Sequence, residues 1–175
     1  MTQALRAVVV VGILAAALAV GAAAQAGSAP TPAACAAKEF VELPVNAWAP
    51  ARKQLAPPGA SAIRLCRYNA LNTKPPLALA RSALVTSTKS VKAIVAELDA
   101  LRPLPKGVFC PLDDGADIDA LLAYSGGHAV IVRFELTGCG AVSNGSVTRW
   151  AGNSTAGSDL LALIERLTGY KRTGF

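Results

Sequence analysis

Residues 109–145 read FCPLDDGADIDALLAYSGGHAVIVRFELTGCGAVSNG. Two alternating runs lie inside this stretch, Ile118 to Tyr124 and Val130 to Leu136, with Gly126-Gly127 between them. Successive side chains of a strand point to opposite faces, so the pattern predicts a β-hairpin. Its core face carries Ile118, Ala120, Leu122 and Tyr124 on one arm and Val130, Val132, Phe134 and Leu136 on the other, which leaves Arg133 and Glu135 to solvent. Cys110 precedes the first arm and Cys139 follows the second. They meet at the open end of the hairpin, where a disulfide between them belongs.

Working outward, the chain has 175 residues, the size of one ordinary domain. Met1 to Ala26 has the form of a secretory signal peptide: a positive charge at Arg6, an apolar run from Ala7 to Ala24, and Ala24-Gln25-Ala26 as the cleavage signal. We expect residues 1–26 to be removed and the product to be secreted and extracellular, with no membrane span after cleavage. A retained anchor is the alternative reading of the same apolar run. Residues 27–37, small and proline-rich, read as a disordered tether, and residues 38–175 as a single domain.

Export changes the meaning of the 4 cysteines, Cys35, Cys66, Cys110 and Cys139. In an oxidising compartment an even set at wide spacing reads as disulfides, and neither C-x-x-C nor a close Cys/His pair is present for zinc. Four cysteines allow three pairings. The hairpin favours Cys110 with Cys139, which leaves Cys35 with Cys66. Closing the roughly 29-residue loop between Cys110 and Cys139 is worth about 3 to 4 kcal/mol of unfolded-state entropy.

Ahead of the hairpin, Pro44, Pro50, Pro57 and Pro58 make Ala47 to Gly59 a loop, and Trp48 is expected to pin that loop onto the core. Lys38 to Val45 has room for a short strand. Ser61 to Tyr68 is a strand with Ile63 and Leu65 on one face and Arg64, Cys66 and Tyr68 on the other. A second short strand is expected near Ala83 to Thr86. After Ser87 or Thr88 as cap, Val91, Ile94, Val95, Leu98 and Leu101 form one helical stripe, ended by Pro103 and Pro105. Beyond the hairpin, Asn144-Gly145 predicts a tight turn and Ser146 to Trp150 an edge strand. A last helix, capped by Ser158, buries Leu160, Leu163, Ile164 and Leu167 and stops at Gly169. The fold class is α+β: an antiparallel sheet of about four or five strands, two helices packed on one face, and two disulfides as staples.

The net charge of +6 is mild and its lysines and arginines are scattered, without the basic stripe and interleaved aromatics of a nucleic-acid surface. The single histidine, His128, follows the Gly126-Gly127 turn, with no nucleophile elbow in the sequence to serve. Asp113, Asp114, Asp117 and Asp119 lack the spacing of a calcium loop and read as solvated acids around a turn. No catalytic residue, metal site or cofactor is expected.

At Leu65-Cys66-Arg67-Tyr68, at Phe109-Cys110-Pro111 with Asp113-Asp114-Gly115, and at Thr137-Gly138-Cys139 followed by Val142, Asn144 and Gly145, the chain resembles small secreted proteins of unknown function from high-GC Gram-positive bacteria. The resemblance implies export and two disulfides, and no activity. The order of a helix, Cys110-Pro111-Leu112, a hairpin and Cys139 is also similar to the bacterial subtilisin-inhibitor family. That likeness implies a reactive loop at Pro111, Leu112 and Asp113, with Leu112 entering the protease's primary pocket.

We therefore expect an exported, non-enzymatic domain that binds a protein or envelope component, or has a structural role, at or outside the cell envelope. On that reading Leu112 begins a strand and belongs to the core. Inhibition of a subtilisin-type protease through Leu112 is the alternative.

Overall fold

The computed structural model describes residues 30–39, 42–152 and 155–168. The expected leader, the first residues of the expected tether, and Gly169 with the tail beyond it lie outside the described residues. In chain order the elements are β1 (Ala62–Tyr68), β2 (Leu79–Val85), α1 (Thr88–Ala100), β3 (Asp117–Ala123), β4 (Ala129–Glu135), β5 (Ala141–Ser143), β6 (Thr148–Trp150) and α2 (Thr155–Thr168). The strands form one antiparallel sheet in the order β2-β1-β3-β4-β5-β6. The described residues thus form six strands rather than four or five, because β5, only three residues long, separates the hairpin from the expected edge strand; β2 also begins earlier than its sequence suggests.

Register builds the core. Ile63 stands beside Leu122 and Leu122 beside Val130; Leu65 beside Ala120 and Ala120 beside Val132; Ile118 beside Phe134 and Phe134 beside Val142. These rows are buried, and Val91, Ile94 and Leu98 of α1 with Leu160 and Ile164 of α2 close over them in the same cluster. Burying a leucine- or phenylalanine-sized side chain contributes about 1.5 to 3 kcal/mol, so this layer supplies most of the drive to fold. The helix stripes and the hairpin's core face follow the periodicity, with Leu136, Leu163 and Leu167 only partly buried, and α2 begins at Thr155, ahead of the expected cap Ser158. At the hairpin tip the Tyr124 N–H donates to the His128 carbonyl (2.9 Å) around a turn in which Gly126 and Gly127 have φ of 73° and 77°.

Asn144 turns β5 into β6 and also fastens the proline-rich loop. Its side-chain oxygen accepts the Ser146 and Val147 N–H groups (3.0 and 2.8 Å), while its amide nitrogen donates to the carbonyls of Ala51, Gln54 and Leu55 at 2.7, 2.9 and 3.1 Å. Gly145 follows at φ 81°, and a Cβ there would stand 2.7 Å from the Pro44 carbonyl oxygen. Trp48 packs partly buried against the core, as its place in the loop suggests.

The opposite face of the sheet departs from expectation. Arg133 is not in solvent: its side chain is 12% exposed. Asp117 and Asp119 are not solvated turn acids but β3 residues, 5% and 1% exposed. Residues 30–39 cause this. Read as a tether for most of that length, they form an arm packed across the face: Pro32 is buried, Ser61 Oγ donates to the Pro30 carbonyl (3.1 Å), Tyr68 Oη donates to the Ala36 carbonyl (3.2 Å), and Cys35 is bonded to Cys66. In place of a strand from Lys38 to Val45, the described part of that stretch makes a single bridge, Lys38 with Ala78. Both disulfides join the expected partners, Cys35 with Cys66 and Cys110 with Cys139.

Candidate functional site

The feature that stands out from the sheet is the segment between α1 and β3. Leu101 is buried at the end of α1, and Pro103 and Pro105 lack the N–H groups needed to continue a helix. The chain leaves through an isolated bridge, in which the Trp150 N–H donates to the Arg102 carbonyl (2.8 Å). Residues 103–112 then arch away from the core, and Phe109 and Leu112 are 96% and 92% exposed. Leu112 is therefore not a core residue. The Cys110–Cys139 bond holds the segment at that point, β3 starts only at Asp117, and none of the described residues folds over Leu112.

The arch lands on Thr137. Asp113 Oδ1 and Asp114 Oδ1 both lie 2.8 Å from the Thr137 hydroxyl, which carries one proton and serves the two carboxylates alternately. Each carboxylate also accepts an N–H two residues on, Gly115 for Asp113 and Ala116 for Asp114, both at 3.0 Å. Gly138, at φ 66°, makes the approach possible, because a Cβ there would lie 3.0 Å from the Asp113 Cβ. On the far side the Trp150 indole Nε1 donates to the Cys139 carbonyl (2.9 Å). Pro111, Leu112 and Asp113 are thus brought together as an exposed segment, with the Asp113 carboxylate hydrogen-bonded to Thr137 and Gly115 and the Leu112 side chain in solvent.

Two other places collect chemistry. At the hairpin tip His128 stacks on Trp48, ring centroids 4.9 Å apart and planes 8° from parallel, beside a groove of about 350 Å3 lined by Val45, Asn46 and Ile131 among others. Trp48 also meets Tyr124 at 4.8 Å. Beneath the arm, Arg133 gathers three acids: Asp119 from the neighbouring strand in a two-pronged pair at 2.9 and 3.0 Å, Glu39 of the arm at 3.0 Å, and Asp117 at 3.6 Å. Sequence reading missed this cluster. Burial, then the neighbouring Glu39 carboxyl, push the Asp117 carboxyl up to about 9, against the pull of Arg133. Its buried Oδ1 finds no donor among the described residues, which suits a protonated acid. Burial also raises Glu135, whose Oε2 accepts the Ala141 N–H (3.1 Å).

This gives a pH dependence with a definite sign. Asp117 binds its proton more tightly folded than unfolded, so its contribution to stability is complete below the ordinary value of 3.8 and is lost as pH rises towards about 9. The limiting slope for one such group is about 1.4 kcal/mol per pH unit. Asp117→Asn, neutral at every pH, should melt above the parent at pH 8 and lose that advantage near pH 4. Melting temperatures that run parallel across this range would rule the assignment out.

Among the described residues no group of three His, Cys, Asp or Glu side chains is placed to hold a metal ion, and no helix is long and apolar enough to cross a membrane. Compared with known protein families, with curated proteins and with solved structures, the chain matches none.

Proposed function

We propose that this is an exported, non-enzymatic binding domain that engages a partner protein through the arch at residues 103–112. The observation that carries this is the exposure of Phe109 and Leu112 on a segment covalently fastened to the sheet. Leaving two large apolar side chains in water forgoes about 1.5 to 3 kcal/mol each, a loss that a partner's pocket recovers. Fastening the backbone beforehand reduces the ordering cost at binding. His128, stacked on an indole at a hairpin tip, supports a packing role for the one histidine rather than an acid–base one.

A specific observation favours a second, narrower reading within the first. In an inhibitor of the subtilisin type Leu112 would enter the primary pocket and the Leu112-Asp113 bond would lie at the catalytic centre. Two aspartates after the bond would obstruct such a cleft if they pointed into it. Here each carboxylate accepts a backbone N–H two residues on and the two share the Thr137 hydroxyl, which supports presentation of Leu112 ahead of them.

The test of the broad reading is capture from the native extracellular medium by the immobilised oxidised protein, beside a Phe109→Ser/Leu112→Ser variant. A protein retained by the parent and lost with the variant, at equal melting temperature, is the expected result. Equal retention by both would move the contact surface away from the arch.

A further inference from the structure

The two disulfides sit in opposite surroundings. Cys66 lies in the interior of β1 at 0% exposure, and Cys35 is half-buried in the arm, its Sγ 3.9 Å from the Leu65 carbonyl. Cys110 is exposed on the arch and Cys139 half-buried below it. Thiol–disulfide exchange needs a thiolate to reach a sulfur, so access decides which bond is attacked.

What each bond holds differs as well. Beside the Cys35–Cys66 bond, the arm is held by the Tyr68 and Ser61 hydrogen bonds and the Glu39 ion pair. The arch has no such reserve. Its feet are fixed, one by the Arg102 bridge to Trp150 and the other by Asp113 and Asp114 on Thr137. Between the feet, among the described residues, no hydrogen bond ties residues 103–112 to the sheet or to a helix. The disulfide is the fastening of that span.

We propose that Cys110–Cys139 is a redox-cleavable staple and Cys35–Cys66 a permanent one, so that an extracellular dithiol releases the arch while the arm stays in place. One thiolate of the dithiol attacks Cys110 Sγ, and Cys139 leaves as a thiolate that takes a proton. The second thiol of the reductant attacks the mixed disulfide, forms the reductant's internal disulfide and frees Cys110 as the second thiol. Two electrons and two protons pass to the protein, and the dithiol is oxidised by the same amount. The freed span between Arg102 and Asp113 then loses the fixed spacing of Phe109 and Leu112. Weaker partner binding on reduction rests on the proposed function; release of the arch does not.

The experiment exposes the oxidised, full-length exported chain to graded dithiothreitol without denaturant. Iodoacetamide and peptide mass mapping then locate the free thiols, while trypsin cleavage after Lys106 reports the arch. Cys110 and Cys139 should be modified at about tenfold less reductant than Cys35 and Cys66, because access sets the rate. Cleavage after Lys106 should rise about tenfold in step, with the near-ultraviolet signal of the core retained. Simultaneous modification of all four cysteines, earlier modification of Cys35 and Cys66, or unchanged cleavage would overturn the proposal. Cys110→Ser/Cys139→Ser should be cleaved quickly with no reductant present; if that variant cannot fold, the bond is structural and the proposal is wrong. An arch that is released while a captured partner still binds equally would count against the proposed function and leave the staple standing.

Discussion

Replacing Arg133 by methionine should cost about 3 to 5 kcal/mol at neutral pH, the range for removing one partner of a buried ion pair. The guanidinium is the cation that faces Asp119, Glu39 and Asp117 at once, and Asp119 is 1% exposed. Without it the Asp119 carboxylate keeps no salt-bridge partner among the described residues and stays out of water. Methionine preserves most of the side chain's volume, so the loss is electrostatic rather than a cavity. Since domains are typically stable by 5 to 15 kcal/mol, a substantial fraction of molecules would unfold at moderate temperature. Urea unfolding read by tryptophan fluorescence measures it. A loss below about 1 kcal/mol would mean that Arg133 is replaced by another cation or that the acids take up protons without cost.

Leu112→Ala separates the functional readings, because Leu112 is 92% exposed and alanine changes little in the folded chain. An exposed position of this kind shifts stability by no more than about 0.5 kcal/mol. If the arch inhibits, the oxidised parent blocks a subtilisin-type endoprotease at sub-micromolar concentration. The variant should then bind at least about 30-fold more weakly, as for an anchor that carries 2 kcal/mol or more. Full activity of a panel of such proteases in excess parent protein would remove the inhibitor reading. The broader binding role would then rest on the capture experiment alone.

The hairpin, the helices and the helix-facing core were legible because their signals are local. Alternation from Ile118 to Tyr124 and from Val130 to Leu136 names a face, and two glycines with positive φ mark the turn. The other face was not legible by the same rule. Asp117, Asp119 and Arg133 alternate with the apolar residues as solvent-facing positions would, and an arm from far earlier in the chain covers them. The signal lay in the cysteines: Cys66 shares its face with Arg64 and Tyr68, so a bond from Cys66 to Cys35 requires the arm to cross that face and forbids a free tether. β5 escaped notice because three residues are too few to show a period. Leu112 has the apolarity and the place before a strand of a core residue; the disulfide and the Thr137 contacts, which hold the segment outward, are tertiary.

Asn144, Gly145 and Ser146 together spell the acceptor for an asparagine-linked glycan. In the folded chain that acceptor is closed: Asn144 is 2% exposed and its amide nitrogen serves the three carbonyls that hold the proline-rich loop. A host that attaches sugar during translation would reach Asn144 before this packing forms, and the glycosylated chain would be unable to close the loop onto the β5–β6 turn. Production of this protein for any of the experiments above is therefore best carried out where no such transfer occurs.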